Sequence, residues 1–164
     1  MATTHPQRPA DAHEHAAAMR ERKRAEAEAV GVDAAYIATL VDSFYARIRD
    51  DAVLGPIFAE RIHDWPVHLE QMKRFWRSIL HNSGEFTGSP MRKHIAIPRL
   101  DASHFAHWLE LFYATLRDIE PDARASELVA GRARAIADSL LTGIAIQREG
   151  ITGARAGEGL PQLA

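Results

Sequence analysis

From Asp33 onward, apolar side chains recur at three- and four-residue intervals. Tyr36, Leu40, Phe44 and Ile48 fall on one line, with Ile37 and Val41 beside it, which predicts a helix capped by Asp33. DAVLGPIF (51–58) contains a Gly-Pro pair that cannot continue that helix. It reads as an ordered corner carrying Leu54, Ile57 and Phe58. A second helix is expected from about Asp64 through Leu80, with a stripe of Trp65, His68, Met72, Phe75 and Ile79, and Trp76 alongside. Asp64 can cap it, and Pro66 sits in its first turn, where proline is tolerated. HNSGEFTGSP (81–90) is a loop by composition. Ser89 can then cap a short helix with Pro90 at its first position. Pro98 ends it, and His94 lies in its middle. A helix of about two turns is marginal alone and must be held by something else. A longer helix follows from about Ala102 to Ile119, with Phe105, Trp108, Phe112, Leu116 and Ile119 on one side, broken by Pro121 and Asp122. The last runs from about 122 to 147, with Val129, Ala133, Ile136, Leu140 and Ile144 in register. No run alternates with period two, so the fold class is all-α.

The two ends differ from this core. Residues 1–10 are polar and read as disordered. Residues 11–29, DAHEHAAAMRERKRAEAEA, favour helix by propensity but carry almost no large apolar side chain. Residues 1–32 are therefore expected to be an extension, partly disordered or a loosely docked helix. The core domain is placed at 33–147, and the Gly-rich residues 148–164 are expected to be a disordered tail.

Composition narrows the chemistry. The chain has 164 residues, nine of them histidine and none cysteine. A metal would have to be held by nitrogen or oxygen, and thiolate sites are excluded. Twenty basic and 22 acidic residues give a net charge of −2, which disfavours nucleic acid as a partner. No apolar run approaches a membrane span and no secretory signal is visible, so a soluble cytoplasmic domain is the expectation. The chain has no phosphate-binding glycine loop, no HExxH pair and no GxSxG elbow. Its one Glu-x-x-His, at Glu60 and His63, lacks the inward carboxylates a di-iron bundle needs. His104 and His107 could share a metal in principle, but read as a solvated pair.

Tyr45, His68 and Trp108 are harder to dismiss. All three lie on or beside apolar helix faces and carry N–H or O–H groups that need partners when buried. Each alone reads as a core side chain, and His94 alone as a surface histidine. Together, a short helix with a central histidine, a second histidine in an apolar stripe and a pocket with Tyr and Trp donors suit a haem site.

At these residues the sequence resembles the group III truncated haemoglobins of bacteria. The matching motifs are SFYARIRDDAVLGPIF, DWPVHLEQMKRFW, MRKHIAIP and HFAHWLELF, in the same order with similar gaps. The resemblance covers roughly two-thirds of the chain, from Asp33 through the last long helix. Groups I and II usually carry Gly-Gly pairs flanking their helices, and this chain has none. The resemblance implies a globin-like two-over-two helical sandwich around haem b (iron protoporphyrin IX), with His94 as the proximal iron ligand. It also implies a distal pocket of Tyr45, His68 and Trp108, and O₂, NO or CO as ligand. Phe58, Met72, Phe75, Trp76, Ile97 and Phe105 are the expected porphyrin walls, and Arg92 and Lys93 the expected partners of the propionates. Reversible binding of a diatomic gas is the leading expectation. The alternative is an NO dioxygenase or peroxidase-like enzyme. Because the sequence encodes no flavin or nicotinamide domain, that enzyme would need electrons from a separate reductase.

Overall fold

A computed structural model describes residues 9–119, 122–150 and 156–164. Seven helices run through them in the order α1 (Pro9–Ala29), α2 (Ala34–Asp50), α3 (Leu54–Arg61), α4 (Trp65–His81), α5 (Pro90–Ile95), α6 (Ala102–Ile119) and α7 (Ala123–Glu149). Among the described residues there is no strand, and no helix is long and apolar enough to cross a membrane.

Aspartate caps explain three of the starts: Asp33 and Asp64, expected as caps, and Asp122, read from the sequence only as a break. The Asp33 carboxylate accepts the Tyr36 N–H, Asp64 accepts that of Val67, and Asp122 accepts that of Arg124. Each satisfies a donor that has no partner inside the helix. Ser89 makes no such side-chain bond at the start of α5, so the cap expected there is absent. The expected corner at 51–58 is largely a helix. The Asp51 carboxylate accepts the N–H groups of Val53 and Leu54 at 3.0 and 2.8 Å, starting a new helix at Leu54. Pro56 then falls in the first turn, where its missing N–H costs nothing. Gly55 lets this turn press on the end of α2: a Cβ there would come within 2.9 Å of the Arg49 carbonyl.

α2 packs against α4 and α6, and α6 packs against α7, so the α2/α4 pair lies over the α6/α7 pair in a two-over-two sandwich. Phe44 and Phe112 are fully buried where the pairs meet, with Ile37, Leu40, Ile48, Leu109, Leu116 and Val129 around them. Each large side chain taken out of water stabilises this centre by about 1.5–3 kcal/mol. Phe112 is stacked by Trp76 on one helix and Trp108 on its own, with ring centroids at 5.2 and 5.4 Å.

α1 leans on α4 and buries only Ala27. The connection after it is held more firmly. Val32 is fully buried, and His81 Nε2–H donates to its carbonyl at 2.7 Å. Residues 1–8, 120–121 and 151–155 lie outside the described residues, and with them the Pro121 break and part of the expectations for both ends. The disordered tail expected at 148–164 is corrected where it is described. α7 continues to Glu149, and residues 156–164 fold back with Leu160 buried. Arg134 donates to the carbonyls of Gly157, Glu158 and Leu160 at 3.2–3.3 Å, and the Tyr113 hydroxyl donates to that of Pro161 at 2.8 Å. A glycine-rich segment has few side chains to bury, but a guanidinium with five donors can anchor it by its backbone.

Candidate ligand-binding site

The aromatic residues at the inner end of α2 gather around Tyr45. Its ring is 94% buried and makes edge contacts with His68 at 5.2 Å and Phe58 at 5.9 Å, and a tilted one with Trp65 at 6.2 Å. Three elements meet here, because α2 supplies Tyr45, α3 Phe58, and α4 Trp65 and His68 on successive turns. Phe44 touches both Tyr45, at 5.2 Å, and Trp108, at 5.3 Å. Phe44 therefore links Trp108 on α6 to the Tyr45 group.

Burial sets the protonation of this group. It pushes the Tyr45 phenol well above its ordinary value, so the hydroxyl keeps its proton and remains a donor. It pushes the His68 imidazole below its ordinary value, and the nearby Lys93 ammonium adds to that. His68 Nε2 is buried with no hydrogen-bond partner among the described residues. An unpaired polar atom in such surroundings is costly unless something else occupies the space beside it.

His94 stands on α5. Its Nδ1 lies 2.6 Å from the carbonyl of Pro90, one turn earlier. A carbonyl can only accept, so the proton sits on Nδ1 and Nε2 carries the free lone pair. That is the tautomer a metal-ligating histidine adopts, held by an outer partner. Burial lowers its affinity for a second proton, the Pro90 bond opposes this, and Lys93 reinforces it. Lys93 thus bears on both imidazoles, although one belongs to α4 and the other to α5. Phe105 on α6 is buried and lies 6.4 Å from the His94 ring.

The other expected wall residues divide. Phe58, Met72, Phe75 and Ile97 are half-buried apolar side chains packed against the core. Trp76 is 98% buried and stacked on Phe112, deeper in the core than those four. Arg92 and Lys93 are exposed on α5.

Trp65 is the residue that sequence reasoning left out. It touches both Tyr45 and His68, the latter at 5.8 Å, and Arg49 covers its ring at 4.6 Å. Its place three residues before His68 on the same stripe was the available signal. His107 and His104 have other partners. His107 Nε2–H donates to Asp51 at 2.8 Å, and His104 lies against Asp101. Burial would raise the Asp51 carboxyl, but the hydrogen bonds from Leu54, His107 and Val53 outweigh it and hold the group below its usual range. The two histidines face different carboxylates, and Glu60 and His63 are both exposed. Among the described residues no group of three or more His, Asp or Glu could hold a metal ion.

No protein-family model matches the chain. Over 84 residues it is 36% identical to the group 3 truncated hemoglobin of Campylobacter jejuni, a stretch covering 49% of this chain and 66% of that relative, just under two thirds of its length. The crystal structure of the group III truncated hemoglobin from Campylobacter jejuni resembles this fold with a TM-score of 0.64 and 30% identity. The likeness covers 68% of this chain and 91% of that one.

Proposed function

Because the chain belongs to the group III truncated haemoglobins, we propose that it binds haem b through His94 and takes up a diatomic ligand, O₂, NO or CO, on the opposite side. The observation that carries this reading is the incomplete burial of α4. Its apolar stripe is strong, yet Trp65, Leu69, Met72, Phe75 and Ile79 stay half-buried. The helix leans on α1 and α2, while α5 packs on α7 and buries no residue of its own. An apolar face left half-covered beside a short helix that offers one imidazole lone pair suits a flat, apolar, iron-bearing group. The buried, unpartnered Nε2 of His68 supports the same reading.

When bound, haem would supply an iron able to take up a small ligand, and His94 would hold that iron. The protein's own side chains do the rest. Met72, Phe75, Ile97 and Phe58 exclude water from the ring faces, and Phe105 packs beside the His94 imidazole. Tyr45 donates from its hydroxyl, and Trp108 from its indole N–H, to the partial negative charge a bound diatomic ligand presents. His68 is the third polar group of that side. Arg92 and Lys93 pair with the propionates at the solvent edge, where their contribution is small.

The test is an absorption spectrum of the purified protein in ferric, ferrous and CO-bound forms, beside His94→Ala. The wild type is expected to be red with a strong band near the violet end, and His94→Ala to lose stable haem. A His94→Ala protein that keeps a normal histidine–iron signal would overturn the assignment.

A further inference from the structure

α5 cannot hold itself. It has six residues, no side-chain cap and no buried residue, yet it carries His94. Its support comes from α7, the helix it packs on, at two points. At the first, Met91 seats against Gly143. A Cβ at Gly143 would lie 2.3 Å from Met91 Sδ and 2.5 Å from its methyl, so the seat exists because that residue has no side chain. At the second, the Arg148 guanidinium donates from one Nη to the Leu100 carbonyl and from the other to the Ile97 carbonyl, both at 2.6 Å. Between those carbonyls the chain passes through Arg99 in the left-handed region, at φ 65°. A non-glycine residue stays there only when its surroundings hold it. The grip is continuous with the histidine, because the Ile97 N–H donates to the His94 carbonyl at 3.1 Å while the Ile97 carbonyl accepts from Arg148.

We infer that Arg148 and Gly143 are positioning residues for the proximal histidine: α7 fixes the height and rotation of His94 through a two-carbonyl clamp and a methionine seat. This rests on His94 being the iron ligand. The bond from His94 to Pro90 fixes the tautomer but lies within α5 itself, so it cannot fix where α5 sits. Arg148 and Gly143 act from another element, 48 residues or more beyond the segments they hold. A guanidinium suits the task because its planar fork reaches two acceptors at once, whereas an ammonium is a single point charge.

The experiment uses the haem-loaded full chain and reads the ferrous iron–histidine stretching band and the rate of haem transfer to an excess of apomyoglobin. Arg148→Met is expected to shift and broaden the band and to speed haem loss at least about tenfold, the order expected when hydrogen bonds from a charged group are lost. Arg148→Lys should recover part of both effects. Gly143→Ala, which displaces only the flexible end of Met91, should shift the band with a smaller change in haem loss. It serves as the decisive variant if Arg148→Met folds poorly by circular dichroism. A folded Arg148→Met, or failing that a folded Gly143→Ala, with the wild-type band and haem-loss rate would overturn the clamp. A wild type with no histidine–iron band, or one that survives in His94→Ala, would instead overturn the ligand assignment beneath it.

Discussion

Tyr45 shows how one side chain acquires a role from its neighbours. On the surface its hydroxyl would exchange partners with water. Here His68, Phe58, Trp65 and Phe44 surround the ring, and burial keeps the phenol protonated across the ordinary pH range. A donor that is always protonated and little solvated should slow ligand escape. Tyr45→Phe removes the oxygen and keeps the ring, so it isolates that effect. Ligand dissociation followed by stopped flow should accelerate roughly ten- to a hundredfold, the range of a hydrogen bond to a charged group. An unchanged rate would remove Tyr45 from the donors. At this scale the sequence was informative about residue types. It could not separate Trp76 from Met72 and Phe75. All three lie on one broad face of α4, and only the position of Phe112 shows which of them turns into the core.

Elements are joined at two points that periodicity cannot reveal. The first is the junction of α2 and α3. Gly55→Ala would drive a Cβ into the Arg49 backbone, which cannot swing away as a side chain can. The variant should lose about 1–3 kcal/mol of stability in urea denaturation, as overpacking does elsewhere. The second is the loop from α4 to α5. Arg77 grips Glu85 with two hydrogen bonds, at 2.8 and 3.1 Å. Those bonds, with one from Ser83, outweigh burial and hold the Glu85 carboxyl at about 2, against 4.5 when free. A carboxyl depressed on folding stabilises the native state fully above its free value, and that contribution fades as pH falls toward the folded value. Thermal melts should therefore separate wild type from Glu85→Gln at neutral pH. The gap should close between pH 4.5 and about 2, and a gap constant across that range would rule the pair out as the cause. The Gly-Pro break after α2 was legible, but the helix that begins within it was not. Its start depends on Asp51, a residue the periodic pattern leaves outside both helices.

The whole molecule combines a tightly packed sandwich with a loosely applied first helix. α1 has 21 residues and buries one of them, whereas Val32 and its bond from His81 seal the entrance to the core. We propose that α2–α7 form the folding unit and that α1 is accessory to it. Deleting residues 1–26 should leave the haem spectrum unchanged and move Tm by no more than about 3 °C, the scale of a small surface change in a chain of this size. A large fall in Tm would make α1 part of the folding unit. The opposite end behaves differently, since Arg134 and Tyr113 tie residues 156–164 to α6 and α7.

By itself the sequence determined the helical class, most of the helix boundaries, the caps Asp33 and Asp64, and the identity of the polar residues worth following. These properties are local: caps act over three residues, and amphipathic spacing is set by the turn of a helix. Only the tertiary structure decided which apolar residues are core and which stay half-covered, and that Trp65 joins Tyr45 and His68. It also decided that α5 hangs from α7 by Arg148 and Gly143. Those contacts join residues far apart in the chain and turn on the absence of a side chain or on backbone carbonyls, neither of which leaves a pattern in the order of amino acids.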